Sequence, residues 1–123
     1  MNRTILRTGF IALLMGLTGL VHAAPKVVAI TQIVEHPALD AVYKGVKDEL
    51  TEEGFAEGTD VTYMHESAQA NTATAAQIAR KFVGDQPDVI VAIATPSAQT
   101  VAAAAREIPV VFSAVTDPVG ARL

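Results

Sequence analysis

The chain has 123 residues, 50% of them hydrophobic and 5% aromatic, which predicts one small globular unit with an aliphatic core and argues against disorder. Its 13 acidic residues outnumber its 9 basic ones, which argues against a nucleic-acid partner. Cysteine is absent, which excludes disulfides, a thiol nucleophile, thiolate metal ligands and a lipid anchor on cysteine.

The first 23 residues have the pattern of a cleavable secretory signal. Arg3 and Arg7 form a basic start, residues 11–21 are an apolar run, and small residues precede a cleavage point after Ala23. The alternative is a membrane anchor, but a span needs about 20 apolar residues and this run has about half as many. We therefore expect residues 1–23 to be a signal peptide and the mature chain to be exported to the periplasm.

The mature part begins with a strand and an amphipathic helix. Residues 26–32 are a short apolar run, and Pro37 stands at a suitable first helical position. One helical face is apolar, and Gly54 is placed to end the helix. The residues of this face are Leu39, Val42, Tyr43, Val46 and Leu50. On the opposite face Asp40, Lys44 and Asp48 have the spacing for ion pairs one turn apart.

A second strand and helix follow. Residues 59–65 have the β-branched and aromatic content of a strand. Asn71 or Thr72 can cap the next helix, and Gly84 is placed to end it. The predicted inner face of this helix consists of Ala75, Ile78, Ala79 and Phe82.

Residues 88–117 read as one βαβ unit. The apolar runs 89–94 and 110–115 suit strands buried on both faces, and an alanine-rich segment that stops at Ile108-Pro109 separates them. The alternation of strands and helices predicts an α/β fold, a doubly wound, flavodoxin-like parallel sheet. Four strands and three helices are few for this class, and no closing helix follows, so we expect a truncated domain.

Polar residues follow the last two predicted strands. If Thr95 caps a helix that starts at Pro96, the amides of Ser97 and Ala98 are unpaired and suit a carboxylate. The cluster 113–117 should lie beside this turn if the two strands are adjacent. An ordinary capped helix is the alternative. Together, the turn at Thr95 and the cluster 113–117 resemble a set of hydrogen-bond donors for a small zwitterion more than a reaction centre.

Other chemistries have weak support in the sequence. The first strand–helix turn has no glycine, which argues against a nucleotide cofactor. His36 and His65 could be metal ligands, but two scattered histidines are better explained as surface residues. Ser97 and Ser113 lack the surroundings of a serine nucleophile. We therefore predict no catalytic residue, metal or cofactor.

The sequence resembles the substrate-binding proteins of ABC-type uptake systems, and is most similar to the tryptophan/tyrosine type. The resemblance rests on three segments, ITQIVEHPALDAVYKGVKDEL, AAQIARKFVGDQPDVIVAIATPSAQ and IPVVFSAVTDPVGA. It implies the type I periplasmic binding fold, in which two lobes close over a small ligand. Residues 24–123 would be the N-terminal lobe alone. The implied partners are an amino acid or similar carboxylate, the absent second lobe, and an ABC permease with its ATPase.

The resemblance also implies the binding residues. The ligand's carboxylate and ammonium would be held after the third and fourth strands, with Asp117 as a partner for the ammonium, and the loops after the first two strands would face the cleft. The residues at these positions are Glu35, His36, Gln69, Thr95, Ser97, Ala114 (through its backbone), Thr116 and Asp117. Ala70 stands where the family pattern has glycine, which implies a changed turn beside Gln69.

Two other hypotheses remain open on the sequence. One is a small exported flavodoxin-like enzyme or a receiver domain, although a receiver needs acidic residues where this chain has Gln32 and Thr95. The other is a nonfunctional gene fragment. The resemblance leaves the ligand open between an aromatic amino acid, a branched one and another small carboxylate.

Overall fold

The computed structural model describes residues 23–123, which form a four-stranded sheet and three helices. The predicted signal peptide, except for Ala23, lies outside the described residues. The elements are β1 (Lys26–Gln32), α1 (Pro37–Glu52), β2 (Val61–Ser67), α2 (Thr72–Asp85), β3 (Val89–Ile93), α3 (Thr95–Ala104) and β4 (Val110–Ser113). In this part of the chain, no helix combines the length and the apolar character that crossing a membrane requires.

The sheet is parallel throughout and has the strand order β2-β1-β3-β4. The chain moves outward from β1 to β2 and then returns past β1 to β3. Because such crossovers are right-handed, this reversal puts α1 on one face and the other two helices on the opposite face. The predicted doubly wound α/β fold is confirmed. The reversal also creates a switch point between β1 and β3, where ligands bind in open sheets of this kind.

Two apolar layers cover the sheet. On the α2 and α3 side, Phe82 and Val101 are fully buried against Ala29 and Ile90 of the strands. The predicted inner face of α2 is confirmed, because Ala75, Ile78, Ala79 and Phe82 are its buried residues. On the other side, α1 packs over Val28 and Ile30 with its apolar residues only half-buried. An open apolar groove of about 560 Å³ separates α1 from β4.

Several element ends differ from the sequence-based expectation. Strand β2 begins at Val61 because Asp60 belongs to a turn, in which its amide donates to the carbonyl of Ala56 at 2.8 Å. Helix α2 continues past Gly84 to Asp85 and ends at Gln86 in the left-handed conformation. Strands β3 and β4 stop earlier than expected, because Ala94 and Ala114 have positive φ angles that strand pairing does not accommodate.

Helix α1 starts and ends as predicted. It begins at Pro37, and Gly54, with a φ of 93°, follows the C-cap Glu53. Lys44 and Asp48 form the expected ion pair along the helix. Asp40 instead accepts a hydrogen bond from Gln32 at the end of β1.

The cap of α2 allows a direct stability test. Asn71 Oδ1 accepts from the amide of Thr74 at 3.0 Å, so replacement by alanine leaves this donor without its partner. We expect Asn71→Ala to lower the free energy of unfolding by about 1 kcal/mol. Urea denaturation followed by circular dichroism measures this loss. Thr72→Ala, which leaves the Asn71 cap in place, is the control and should change stability by less than about 0.5 kcal/mol. Equal effects of the two substitutions would contradict the capping role.

Candidate functional site

The four strands end in register along one edge of the sheet. Ser67, Gln32, Ile93 and Ser113 form a row across β2, β1, β3 and β4. The segments that follow this row, three loops and the first turn of α3, contain all the residues that the sequence analysis proposed for binding. They are Glu35 and His36 after β1, Gln69 after β2, Thr95 and Ser97 after β3, and Ala114, Thr116 and Asp117 after β4. The structure therefore brings the predicted set to the same edge.

The amino end of α3 lies at this edge, and the helix begins one residue earlier than predicted. Ala94 is the N-cap, not Thr95, which is the first helical residue. No side chain caps the helix. The amide of Ala98, expected to be free, donates to the carbonyl of Ala94 at 3.0 Å. Ser97 is fully buried, and its hydroxyl has no hydrogen-bond partner among the described residues.

The N-cap has a strained backbone. Ala94 has a φ of 75° and a ψ of 154°, a region that is occupied almost only by glycine. Its amide donates to the carbonyl of Ser113 at 2.9 Å, which fixes the β3–α3 turn against the end of β4. The two predicted polar clusters are therefore neighbours, as the adjacency of β3 and β4 requires.

The loop after β4 carries exposed polar groups. Ala114 has a φ of 54°, which turns the chain out of the strand, and Thr116 and Asp117 are exposed. Asp117 Oδ1 accepts a hydrogen bond from the amide of Gly120 at 2.9 Å. The hydrogen bond orients this carboxylate at the edge of the sheet.

The loops after β1 and β2 contact each other. The side-chain amide of Gln69 donates to the carboxylate of Glu35 at 3.3 Å, and the amide of Ala70 donates to the carbonyl of Ile33 at 2.7 Å. Gln69 and Ala70 have φ angles of 53° and 60°. The turn therefore has the left-handed conformation that glycine favours, although alanine occupies the position.

The two histidines of the described chain have separate environments. His36 Nδ1 accepts from the amide of Ala38 at 3.2 Å and so caps α1. The ring of His65 stacks on Tyr43 with 4.1 Å between centroids, which covers one face of the imidazole. Partial burial lowers the pKa of His65, although the carboxylates of Asp40, Glu35 and Glu66 act in the opposite direction. Within residues 23–123, no three His, Asp or Glu side chains form a potential metal site.

Gln32 is the residue at this edge whose role the sequence analysis missed. It is fully buried, and its side chain makes hydrogen bonds to Val34, Asp40 and His65. The only available signal was a polar residue at the end of an apolar strand. The edge therefore has hydrogen-bond donors in the amides of α3 and negative charge in the carboxylates of Glu35 and Asp117.

The fold and the sequence of this chain are similar to those of known proteins. A tyrosine-binding protein of Clostridioides difficile is 44% identical over 98 residues, which are 80% of this chain and 28% of that protein. A conserved domain protein from Vibrio cholerae is 54% identical with a TM-score of 0.80, and the match covers 81% of this chain and 34% of the solved one.

A third similar protein was solved with a ligand. It is an ABC domain in complex with L-Trp from Streptococcus pneumonia, 36% identical with a TM-score of 0.77, matched over 81% of this chain and 34% of its own. The chain thus spans about a third of the length of these relatives. The family described as ABC transporter substrate binding protein matches residues 27–123. Because this match includes nearly all of the described residues, the chain belongs to the ABC transporter substrate-binding protein family.

Proposed function

We propose that residues 24–123 form the N-terminal lobe of a periplasmic solute-binding protein that delivers an amino acid, preferably an aromatic one, to an ABC importer. The protein is not an enzyme in this proposal. A second lobe closes over the ligand, and a permease with its ATPase receives it. Residues 1–23 act as the signal peptide. The proposal is supported by the family and by relatives described as binding tyrosine or in complex with L-Trp.

The observation that carries the proposal is the amino end of α3. This helix starts next to the switch point of the sheet, and no side chain occupies its first turn as a cap. Free amides and the helix dipole favour a carboxylate at such a position. The backbone amide of the partly exposed Thr95 would bind the carboxylate directly. Ser97 is fully buried, so it would stabilise the carboxylate through the dipole of the first helical turn.

The remaining groups would bind the ammonium group of the ligand. Asp117 would accept the ammonium group, because its carboxylate is exposed and oriented by Gly120. The carbonyl of Ala114 and the hydroxyl of Thr116 would add hydrogen bonds beside it. Glu35, His36 and Gln69 would border the cleft from the β1 and β2 side. One lobe supplies only part of the contacts, so we expect it to bind with about millimolar affinity.

Amide NMR spectra of the 123-residue chain test the proposal during titration with L-tryptophan. We expect the largest shifts at Thr95, Ser97 and Ala114. Indole-3-propionate, which lacks the ammonium, should still shift the α3 amides, whereas tryptamine, which lacks the carboxylate, should not. Asp117→Asn should weaken the response to L-tryptophan and leave that to indole-3-propionate unchanged. Equal responses to the two analogues, or shifts away from this edge, would contradict the proposed role of α3.

A further inference from the structure

The side chain of Gln32 connects three different parts of the fold. Its Nε2 donates to the carbonyl of Val34 at 3.2 Å and to Asp40 Oδ1 at 2.8 Å. Its Oε1 lies 3.2 Å from Nε2 of His65. Val34 belongs to the β1–α1 loop, Asp40 to the first turn of α1, and His65 to β2. One buried amide therefore links these three segments through both of its donors and its oxygen acceptor.

The chemistry of the partners determines which way the amide faces. A carbonyl and an ionised carboxylate can only accept hydrogen bonds, so the NH₂ group must face Val34 and Asp40. Oε1 then faces His65, whose Nε2 must carry a hydrogen to donate. Neutral His65 is therefore the Nε2–H tautomer, and a second proton can be added only at Nδ1.

Burial makes this arrangement specific. Gln32 has no exposed surface, so any donor or acceptor left without a partner costs the full desolvation penalty. The contacts from Glu35 to Gln69 lie at the exposed surface and compete with water. Gln32 is thus the side chain that ties the β1–α1 loop to the interior of the sheet.

We propose that Gln32 is a positioning residue, which holds the β1–α1 loop in the conformation that presents Glu35 and His36 to the ligand. This inference rests on the proposed function for the role of the loop. It does not make the loop a pH switch. His65 keeps its Nε2–H when it is protonated, and the groups that face it, Asp40, Glu35, Glu66 and Tyr43, do not compete for that hydrogen bond.

The first experiment measures the tautomer and needs no substitution. Long-range proton–nitrogen NMR spectra of the 123-residue chain distinguish the two neutral forms of histidine, and His65→Phe assigns the signal. We expect the Nε2–H form for His65 and an unchanged loop when the pH falls below the His65 pKa. A neutral Nδ1–H form would overturn the proposal, since the amide of Gln32 could not then face both acceptors.

The second experiment measures order in the loop. In Gln32→Leu we expect the backbone order parameters of residues 34–36 to fall from about 0.85 to below about 0.6, with α2 and α3 unchanged. Gln32→Glu keeps the acceptor for His65 but loses both donors, so it should also loosen the loop and raise the pKa of His65. Gln77→Leu, at an exposed position of α2, is the matched control and should leave the loop unchanged. An ordered loop in folded Gln32→Leu would overturn the proposal.

Titration with L-tryptophan separates this inference from the proposed function. In Gln32→Leu the shifts at Glu35 and His36 should decrease several-fold, while those at Thr95 persist. Equal shifts at Glu35 and His36 in both proteins would overturn the positioning role. The two results can also differ. If Gln32→Leu loosens the loop but L-tryptophan causes no shifts in the wild-type protein, the positioning role of Gln32 is supported and the proposed function is not.

Discussion

Phe82→Ala should lower the free energy of unfolding by about 3–5 kcal/mol, the largest loss that we expect from one substitution in this chain. Phe82 is fully buried and lies in the layer that joins α2 and α3 to the sheet. Its removal eliminates apolar contacts and leaves a cavity that the surrounding small side chains cannot fill. Because domains of this size are stable by only about 5–15 kcal/mol, a substantial part of the total would be lost.

Urea denaturation followed by circular dichroism measures this effect. Phe55→Ala is the matched control, because Phe55 is 42% exposed and its loss should cost less than about 1 kcal/mol. Phe82→Leu keeps most of the side-chain volume and should lower the free energy of unfolding by less than about 1.5 kcal/mol. This variant still tests the prediction if Phe82→Ala does not fold. Similar losses at positions 82 and 55 would contradict the packing described for α2.

Ala94→Gly should stabilise the protein by about 1 kcal/mol, although glycine usually destabilises. The backbone at Ala94 has a φ of 75° and a ψ of 154°, and such a conformation costs a non-glycine residue about 1–3 kcal/mol. Glycine removes this strain and loses about 0.5–1 kcal/mol through the greater entropy of the unfolded chain. Ala94→Val should have the opposite effect and destabilise by about 2 kcal/mol, since a branched side chain is least tolerated there.

The control for this prediction lies in the same helix. Ala102 is exposed within α3, where glycine should cost about 1 kcal/mol. The two alanine-to-glycine substitutions are therefore expected to have opposite signs in thermal or urea denaturation. A loss of stability at both positions would show that the N-cap of α3 is not strained. If Ala94→Gly also weakens the response of Thr95 to L-tryptophan, the strain serves to preorganise the site.

The sequence by itself determined the class of fold and which edge of the sheet holds the candidate site. Apolar periodicity is local, so the buried face of α2, including Ile78 and Phe82, could be identified without knowing its neighbours. The apolar runs of β3 and β4 likewise predicted a parallel sheet, and the polar residues at their ends predicted its candidate ligand edge. The expectation that β4 is buried on both faces is wrong, because Val111 and Phe112 are exposed beside the open groove. The resemblance to a family supplied the individual candidate residues for binding, which local patterns do not specify.

Only the tertiary structure decided the details of that edge. Thr95-Pro96 is the usual signal for a helix start, yet the start is shifted because Ala94 takes a conformation that alanine normally avoids. Asp40 has the spacing to pair with Lys44, but its carboxylate instead accepts a hydrogen bond from the buried amide of Gln32. Gln32 and His65 are 33 residues apart and meet because β1 pairs with β2. Contacts of this kind depend on which distant segments the sheet brings together. That pairing is a tertiary interaction, so it cannot be inferred from the residues of either segment alone.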